Sequence, residues 1–167
     1  MRHAARSVGG TREQDAAISR CYAFVARLVR LSFVDPNMTM NLQAMRAKQT
    51  FEEKTFPAKL KRLREITNPD LAVEIDWSDF NNKEDITMIG NGFFDRLVSD
   101  LEKLCRDKVG KDAFNQRVKK IVVKCVASKA EKRFALEGDT LVAWGAWGKS
   151  EGYIGYDEYR KFLEQNL

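Results

Sequence analysis

The segment at residues 121–126, Ile-Val-Val-Lys-Cys-Val, is the feature that most constrains the fold of this chain. β-branched residues dominate it, and such a run predicts a buried strand. Two further segments, 133–137 and 140–147, lie on either side of Gly138-Asp139. A glycine in the first position of a two-residue loop suits a type II′ turn, so these segments predict a β-hairpin. The second half of the chain therefore supplies three consecutive strands.

The short loop at Gly138-Asp139 also sets the register of the hairpin, because it places the residues on either side of it opposite each other. In this register Leu136 faces Leu141, and Phe134 faces Ala143. We expect all three late strands to be antiparallel neighbours, with helices packed on one face of their sheet.

The first half of the chain contains both helical and strand patterns. A capping-box spacing at 50–53 is followed by apolar residues at helical intervals, which predicts a helix over 55–67. Residues 71–77 then alternate apolar with polar side chains, which predicts a half-buried strand. Gly90-Asn91-Gly92 predicts a break before a long helix that Gly110 closes.

A short helix over 111–118 and a closing helix over 157–167 complete the order α, β, α, α, β, β, β, α. This order predicts an α+β fold: a small, mostly antiparallel sheet of about four strands with helices packed on one face. We assign residues 50–167 to a single α+β domain and residues 1–49 to an N-terminal extension with one amphipathic helix.

The N-terminal extension carries a predicted helix over 11–34 whose apolar residues share one face. From residue 16 to its end, this helix contains three arginines and no acid. Four interpretations stay open: a docking helix that belongs to the fold, a membrane-surface helix, an organelle-targeting segment, or residues upstream of a true start at Met38 or Met40. The first and the last are favoured equally.

The composition argues against most catalytic chemistry. With 44% hydrophobic and 32% charged residues, the chain is typical of a globular protein. Its one histidine is His3, at the very start, and histidine is the commonest general base and metal ligand. Glycine-rich loops of the kind that bind nucleotide phosphates are also missing from the sequence. We therefore predict no cofactor, no metal and no catalytic residue, and we lean towards a protein that is not an enzyme.

The cysteines indicate the cellular compartment. Cys21, Cys105 and Cys125 are odd in number, far apart and without C-x-x-C spacing, which argues against a disulfide framework or a zinc site. Reduced thiols are typical of cytoplasmic proteins. No apolar run approaches the ~18 residues that a membrane-spanning helix requires. We therefore expect a cytoplasmic protein with no membrane span, and its oligomeric state stays open.

Aromatic residues alternate with glycines late in the chain and form a candidate binding surface. Together with nearby basic residues, the surface comprises Trp144, Trp147, Tyr153, Tyr156, Lys149, Arg133 and Lys124. Exposed rings offer flat faces to a partner, and the basic groups offer contacts to phosphate, although core packing is the commoner role of such rings. Trp144 and Trp147 lie on opposite sides of one predicted strand, so one can fill the core while the other stands on the opposite face.

Three carboxylates form a second cluster on and after the predicted strand at 71–77. Glu74 and Asp76 are two residues apart, so they share a face of the strand, and Asp79 follows. Paired carboxylates can divide acid and base roles or bind magnesium. The polar face of an ordinary half-exposed strand has the same appearance.

These observations favour a non-enzymatic protein-interaction module of the inhibitor or adaptor type, whose partner is another protein. The alternative is a nucleic-acid-binding domain that uses the basic and aromatic hairpin region, although a net charge of +5 is modest for this role. The third hypothesis is a divalent-metal-dependent hydrolase built on Glu74, Asp76 and Asp79.

Overall fold

The structure, a computed structural model, describes residues 40–167, and the predicted helix over 11–34 lies outside the described residues. The helices are α1 (Leu42–Thr50), α2 (Phe56–Ile66), α3 (Lys83–Ile89), α4 (Asp95–Leu104), α5 (Lys108–Arg117) and α6 (Glu158–Asn166). The strands are β1 (Ala72–Asp76), β2 (Lys120–Cys125), β3 (Arg133–Glu137) and β4 (Thr140–Gly145). Two π-helical turns, Phe51–Thr55 and Gly90–Phe94, join α1 to α2 and α3 to α4. With each joined pair taken as one helical stretch, the order of elements is the predicted one.

The four strands form one sheet in the order β1-β2-β4-β3. β1 and β4 both run parallel to β2, and only β3 and β4 are antiparallel. The sheet is therefore mixed, and the prediction of a mostly antiparallel sheet is wrong. β3 takes the edge position, so the hairpin places β4 next to β2. As a result, β4 runs in the same direction as β2.

The register of the hairpin is confirmed. Leu136 pairs with Leu141, and Phe134 pairs with Ala143. In the loop between the strands, Gly138 has a φ of 63°. A type II′ turn requires a positive φ at its first central position alone, which suits a glycine there.

One face of the sheet carries the core. Val123 and Ala143 are fully buried on this face. They share one core cluster with several aromatic rings, among which Phe93 lies edge-on to Trp147 at 5.6 Å and to Tyr159 at 5.8 Å between ring centroids. Such edge-to-face pairs add to the energy of apolar burial. The α+β class of the fold, with a small sheet of four strands, is confirmed.

The first helical stretch begins earlier than its predicted start. The side-chain oxygen of Asn41 accepts a hydrogen bond from the N–H of Ala44 at 2.9 Å and caps α1. Thr50 lies inside the helix and donates its hydroxyl to the carbonyl of Arg46. The capping-box spacing at 50–53 therefore does not mark a helix start.

Gly90 and Gly110 also do not have the roles that the sequence predicts, a break before a helix and the end of that helix. Gly90 lies in a π-helical turn and not at a break, and a Cβ there would lie 3.6 Å from the methyl group of Thr55. Gly110 lies inside α5, where its N–H donates to the carboxylate of Asp107 at 2.8 Å. The helix predicted to extend to Gly110 ends at Leu104.

The last helix is held by a carboxylate from another helix. Asp100 on α4 is fully buried, and its two oxygens accept the N–H groups of Asp157 at 2.9 Å and Arg160 at 3.2 Å. The first N–H groups of a helix lack partners within the helix, so Asp100 satisfies the start of α6. None of the described helices combines the length and the apolar character needed to cross a membrane.

Candidate functional site

The face of the sheet opposite the core is the candidate functional site, and with respect to residues 40–167 alone we call it the open face. The strand register arranges its side chains in three rows that run across the sheet. The first row is Ala72, Lys120, Thr140 and Glu137, the middle row is Glu74, Val122, Val142 and Ala135, and the third row is Asp76, Lys124, Trp144 and Arg133. As the alternation of β1 predicts, Glu74 and Asp76 face away from the core.

The open face has an apolar centre. Val122 and Val142 are neighbours in the register of the two middle strands. They are only 8% and 3% exposed, yet they do not belong to the core cluster of the described residues. A shallow depression of about 310 Å³ lies over them. Both valines thus belong to the open face, and little of their own surface is exposed.

Ion pairs flank this apolar centre. Lys120 pairs with Glu74, and Lys124 lies 3.7 Å from Asp76, in each case between neighbouring strands. The hydroxyl of Ser78 donates to the Asp76 carboxylate at 2.6 Å, and this hydrogen bond, reinforced by Lys124, lowers the pKa of Asp76. Asp76 is thus held as a carboxylate at the end of its row.

Trp144 stands on the open face, where Arg133 covers it. The guanidinium carbon of Arg133 lies 4.1 Å from the centroid of the Trp144 ring. A cation stacked on an indole ring in this way is a favourable contact, and Lys124 is the next residue in the same row. Of the predicted binding residues, the structure therefore brings Trp144, Arg133 and Lys124 together.

Trp147 lies in the core and not on the surface. It follows the end of β4, is fully buried, and its indole N–H donates to the carbonyl of Lys124 at 3.0 Å. The sequence predicts that one of the two tryptophans fills the core, and this one does. Its burial takes it out of the candidate binding surface.

The two predicted tyrosines belong to a different surface. Tyr153 and Tyr156 both lie against Arg96, with their ring centroids 4.5 Å and 4.3 Å from its guanidinium carbon. Tyr156 is 57% exposed. Arg96 belongs to α4, on the helical side of the molecule, so these rings do not contribute to the open face.

Lys149 lines a cleft at the carboxyl ends of β1, β2 and β4. The cleft has a volume of about 480 Å³ and also contains Asp79, Asp85 and Cys125. Desolvation, and then the charge of Asp85, raises the pKa of the Cys125 thiol to about 12. A nucleophilic cysteine needs a lowered pKa, so this thiol is poorly suited to attack a substrate.

The three carboxylates of the metal hypothesis are not gathered in one place. Glu74 and Asp76 lie on the open face next to lysines, and Asp79 lines the cleft. Within residues 40–167, no group of three histidine, cysteine, aspartate or glutamate side chains has an arrangement that could hold a metal ion. The hydrolase hypothesis gains no support from this geometry.

The sequence interpretation missed the two valines at the centre of the open face. The alternation Lys120, Val122, Lys124 within β2 is the signal that could have revealed them, because these residues share a face. The continuous apolar run at 121–126 obscured this alternation.

Comparison with protein-family models, with curated proteins and with solved structures gives no match for this chain. Its function must therefore be argued from the geometry of its own residues.

Proposed function

We propose that this protein is a non-enzymatic protein-interaction module that contacts its partner through the open face. The observation that carries the proposal is the centre of this face, where Val122 and Val142 lie beside Trp144 and outside the core. An apolar centre with an aromatic anchor and a polar rim is the usual composition of a protein-binding surface.

The charges of the open face favour a protein over a nucleic acid. Among the strand residues that the structure describes, three acidic and three basic side chains lie on it: Glu74, Asp76, Glu137, Lys120, Lys124 and Arg133. The sum is zero, and both lysines lie next to carboxylates of β1. Nucleic-acid binding depends on basic groups that neutralise phosphates, and the paired strand residues of this face have no surplus of them.

The chemistry of the described residues supports a binding role more than a catalytic one. The Cys125 thiol has a pKa raised to about 12, and the carboxylates of β1 pair with lysines. A general acid or base needs a pKa near the working pH. A cytoplasmic location is part of this proposal, and the free thiols of Cys105 and Cys125 are compatible with it.

The experiment that tests the proposal is affinity capture from source-cell extract with matched full-length baits. Val142→Lys places a charge at the apolar centre of the open face, and Val109→Lys places the same charge on α5, where Val109 is 80% exposed. We expect captured partners to fall at least about tenfold with Val142→Lys, a loss of roughly 1.4 kcal/mol, and to be unchanged with Val109→Lys.

Trp144→Ala is a second variant that removes the aromatic anchor without adding charge. It should lose the same partners as Val142→Lys, while melting temperatures confirm that both variants are folded. A capture profile that is identical for wild type, Val142→Lys and Trp144→Ala would contradict the proposal.

The nucleic-acid alternative is tested by tryptophan fluorescence during titration with single-stranded and double-stranded oligonucleotides. Trp144 reports on the open face because it stands there beside Arg133. We expect no saturable quenching at low or at physiological salt. Saturable quenching that fades as salt rises would replace the proposal with a nucleic-acid-binding function.

A further inference from the structure

We propose that the open face binds a second copy of this chain, so that the protein forms a symmetric dimer in which two sheets pack face to face. This inference rests on the proposed function and names the partner of the same surface. Its basis is the order of charged and apolar side chains along the three rows, which is complementary to itself.

The symmetry follows from the strand order β1-β2-β4-β3. A two-fold axis that runs parallel to the strands, midway between β2 and β4, places the outer strand β1 over the partner's β3 and β2 over the partner's β4. Each row then lies over the same row of the partner subunit. Such a contact uses one surface patch twice, as the commonest homodimers do.

The third row pairs opposite charges at both of its ends. Asp76 meets the partner's Arg133, because these residues occupy the two outer positions of that row. Lys124 lies over the partner's Trp144, an uncharged residue. The two-fold axis repeats each contact, so that two ion pairs form.

The middle row brings the apolar centres together. Val122 lies over the partner's Val142, and Glu74 lies over the partner's Ala135. In the first row, Lys120 lies over the partner's Thr140. No position in the three rows places a charge against a like charge.

The alternative two-fold axis, which crosses the strands through the middle row, gives a poor match. It places Lys120 opposite the partner's Lys124, and Glu74 opposite the partner's Glu74. Like charges that face each other in an interface oppose its formation. The charge pattern therefore selects the axis parallel to the strands, which also suits the aligned packing of two sheets about 10 Å apart.

The size of the open face predicts a weak dimer. Four strands of five or six residues make a patch of roughly 19 by 17 Å at the usual strand spacing and rise. This patch is smaller than the ~800 Å² that each partner buries in a standard interface. We therefore expect a reversible equilibrium that depends on protein concentration.

The test is sedimentation velocity of the full-length protein from micromolar to millimolar concentration, with two charge-reversal variants. Asp76→Arg and Arg133→Asp each replace the ion pairs of the homodimer with repulsion. In a mixture, however, each variant offers the other two opposite charges. We expect wild type to dimerise, each variant alone to stay monomeric, and an equimolar mixture of the two to recover the dimer.

Recovery in the mixture is specific to this geometry. Within one subunit, Asp76 and Arg133 lie three strand spacings apart, about 14 Å, so the reversed charges meet only between subunits. The double variant Asp76→Arg/Arg133→Asp should dimerise by itself for the same reason. Melting temperatures of all variants show whether a monomer results from repulsion or from unfolding.

Two results would overturn the dimer: wild type that is monomeric at every concentration, or dimerisation that neither Val142→Lys nor the charge reversals weaken. A monomeric wild type whose captured partners still depend on Val142 would leave the proposed function standing with a different protein as partner. If capture is also independent of Val142, both proposals fail.

Discussion

Asp76 on β1 and Arg133 on β3 occupy the two ends of one row on the open face, with Lys124 and Trp144 between them. The row thus has an acid at one end and a base at the other, and each of them contacts the next residue in the row. Lys124 lies 3.7 Å from Asp76, and Arg133 stacks on Trp144 at 4.1 Å. Because the charges at the two ends are opposite, a two-fold rotation matches the row to itself.

Gly145 is required for the position of the core tryptophan. A Cβ at this position would lie 2.7 Å from the indole ring of Trp147, which is fully buried and cannot move away without repacking the core. We expect Gly145→Ala to lower the free energy of unfolding by about 2 kcal/mol, the usual cost of overpacking. Urea denaturation measures this loss.

Gly90→Ala is the matched control, because its Cβ would make only ordinary contacts, the nearest at 3.6 Å from Thr55. In a helical stretch alanine is favoured over glycine, so this variant should be as stable as wild type or more so. Equal losses for Gly145→Ala and Gly90→Ala would argue against the described packing of Trp147.

Asp100 should be a major determinant of the stability of α6. Replacement by alanine leaves the N–H groups of Asp157 and Arg160 without their carboxylate acceptor. Hydrogen bonds to a charged group contribute about 1.5–3 kcal/mol each, so we expect Asp100→Ala to cost roughly 3 kcal/mol and Asp100→Asn about half as much. Asp112→Ala, at an exposed position of α5, is the control and should change the urea midpoint little. A midpoint for Asp100→Ala close to that of wild type would contradict the described cap.

For Tyr159 we predict the opposite effect, because its buried hydroxyl lowers the stability of the fold. The residue is fully buried, and no described residue accepts or donates a hydrogen bond to the hydroxyl. Desolvation accordingly raises the pKa of Tyr159 well above its ordinary value. We expect Tyr159→Phe to keep or raise the melting temperature, with a gain of up to about 1 kcal/mol.

Tyr159→Leu is the companion variant. It removes the ring contacts with Phe93 at 5.8 Å and Phe134 at 5.2 Å, and the loss of buried aromatic packing should cost about 2 kcal/mol or more. A drop in melting temperature for Tyr159→Phe as large as that for Tyr159→Leu would show that the hydroxyl has a partner.

The thiols of Cys105 and Cys125 should resist alkylation in the native state. Desolvation raises the pKa of Cys105 to about 11 and that of Cys125 to about 12, from an ordinary value of 9.0. At pH 8 the thiolate fraction of Cys105 is then lower by roughly 100-fold. Peptide mapping after iodoacetamide treatment should show slow labelling of both residues in the native protein and fast labelling in urea. Labelling of Cys125 that is as fast in native protein as in urea would contradict its burial.

The raised pKa values of the same thiols determine how the free energy of unfolding changes with pH. Because folding raises the pKa values of both thiols, their contribution to the free energy of unfolding is fully present below pH 9. Above that pH the unfolded chain loses its thiol protons while the native protein keeps them, so the free energy of unfolding should fall as the pH rises towards 11. Replacing Cys125 with alanine should reduce this dependence.

The hairpin was predictable because its information is local. The Gly138-Asp139 loop fixes the pairing of Leu136 with Leu141, and the structure confirms that pairing. The parallel pairing of β2 with β4 was not predictable, because it joins segments about twenty residues apart. The alternation of side chains along each strand is the same for parallel and antiparallel pairing. The sequence shows which residues form strands, and tertiary packing decides which strand lies at the edge.

The glycines at 90–92 show a second limit of the sequence. A glycine commonly marks a helix end, but Gly90 and Gly92 lie in a π-helical turn that packs closely on other parts of the fold. A Cβ at Gly92 would lie 3.3 Å from the ring of Tyr153, a residue about sixty positions away. A close approach between segments that are distant along the chain cannot be recognised in a single sequence. The glycines were therefore interpreted as a break, and the helix Lys83–Ile89 that precedes them was missed.

The measurement that tests the open face most directly is a dilution series of ¹H–¹⁵N NMR spectra of the full-length protein, from millimolar to micromolar concentration. We predict that the indole signal of Trp144 and the amides of β1 to β4 shift with concentration, while the indole signal of Trp77 does not. Spectra that are unchanged by dilution would contradict self-association through this face. Shifts centred instead on Leu42 and Met45 of α1, which are 61% and 45% exposed, would place the contact surface elsewhere.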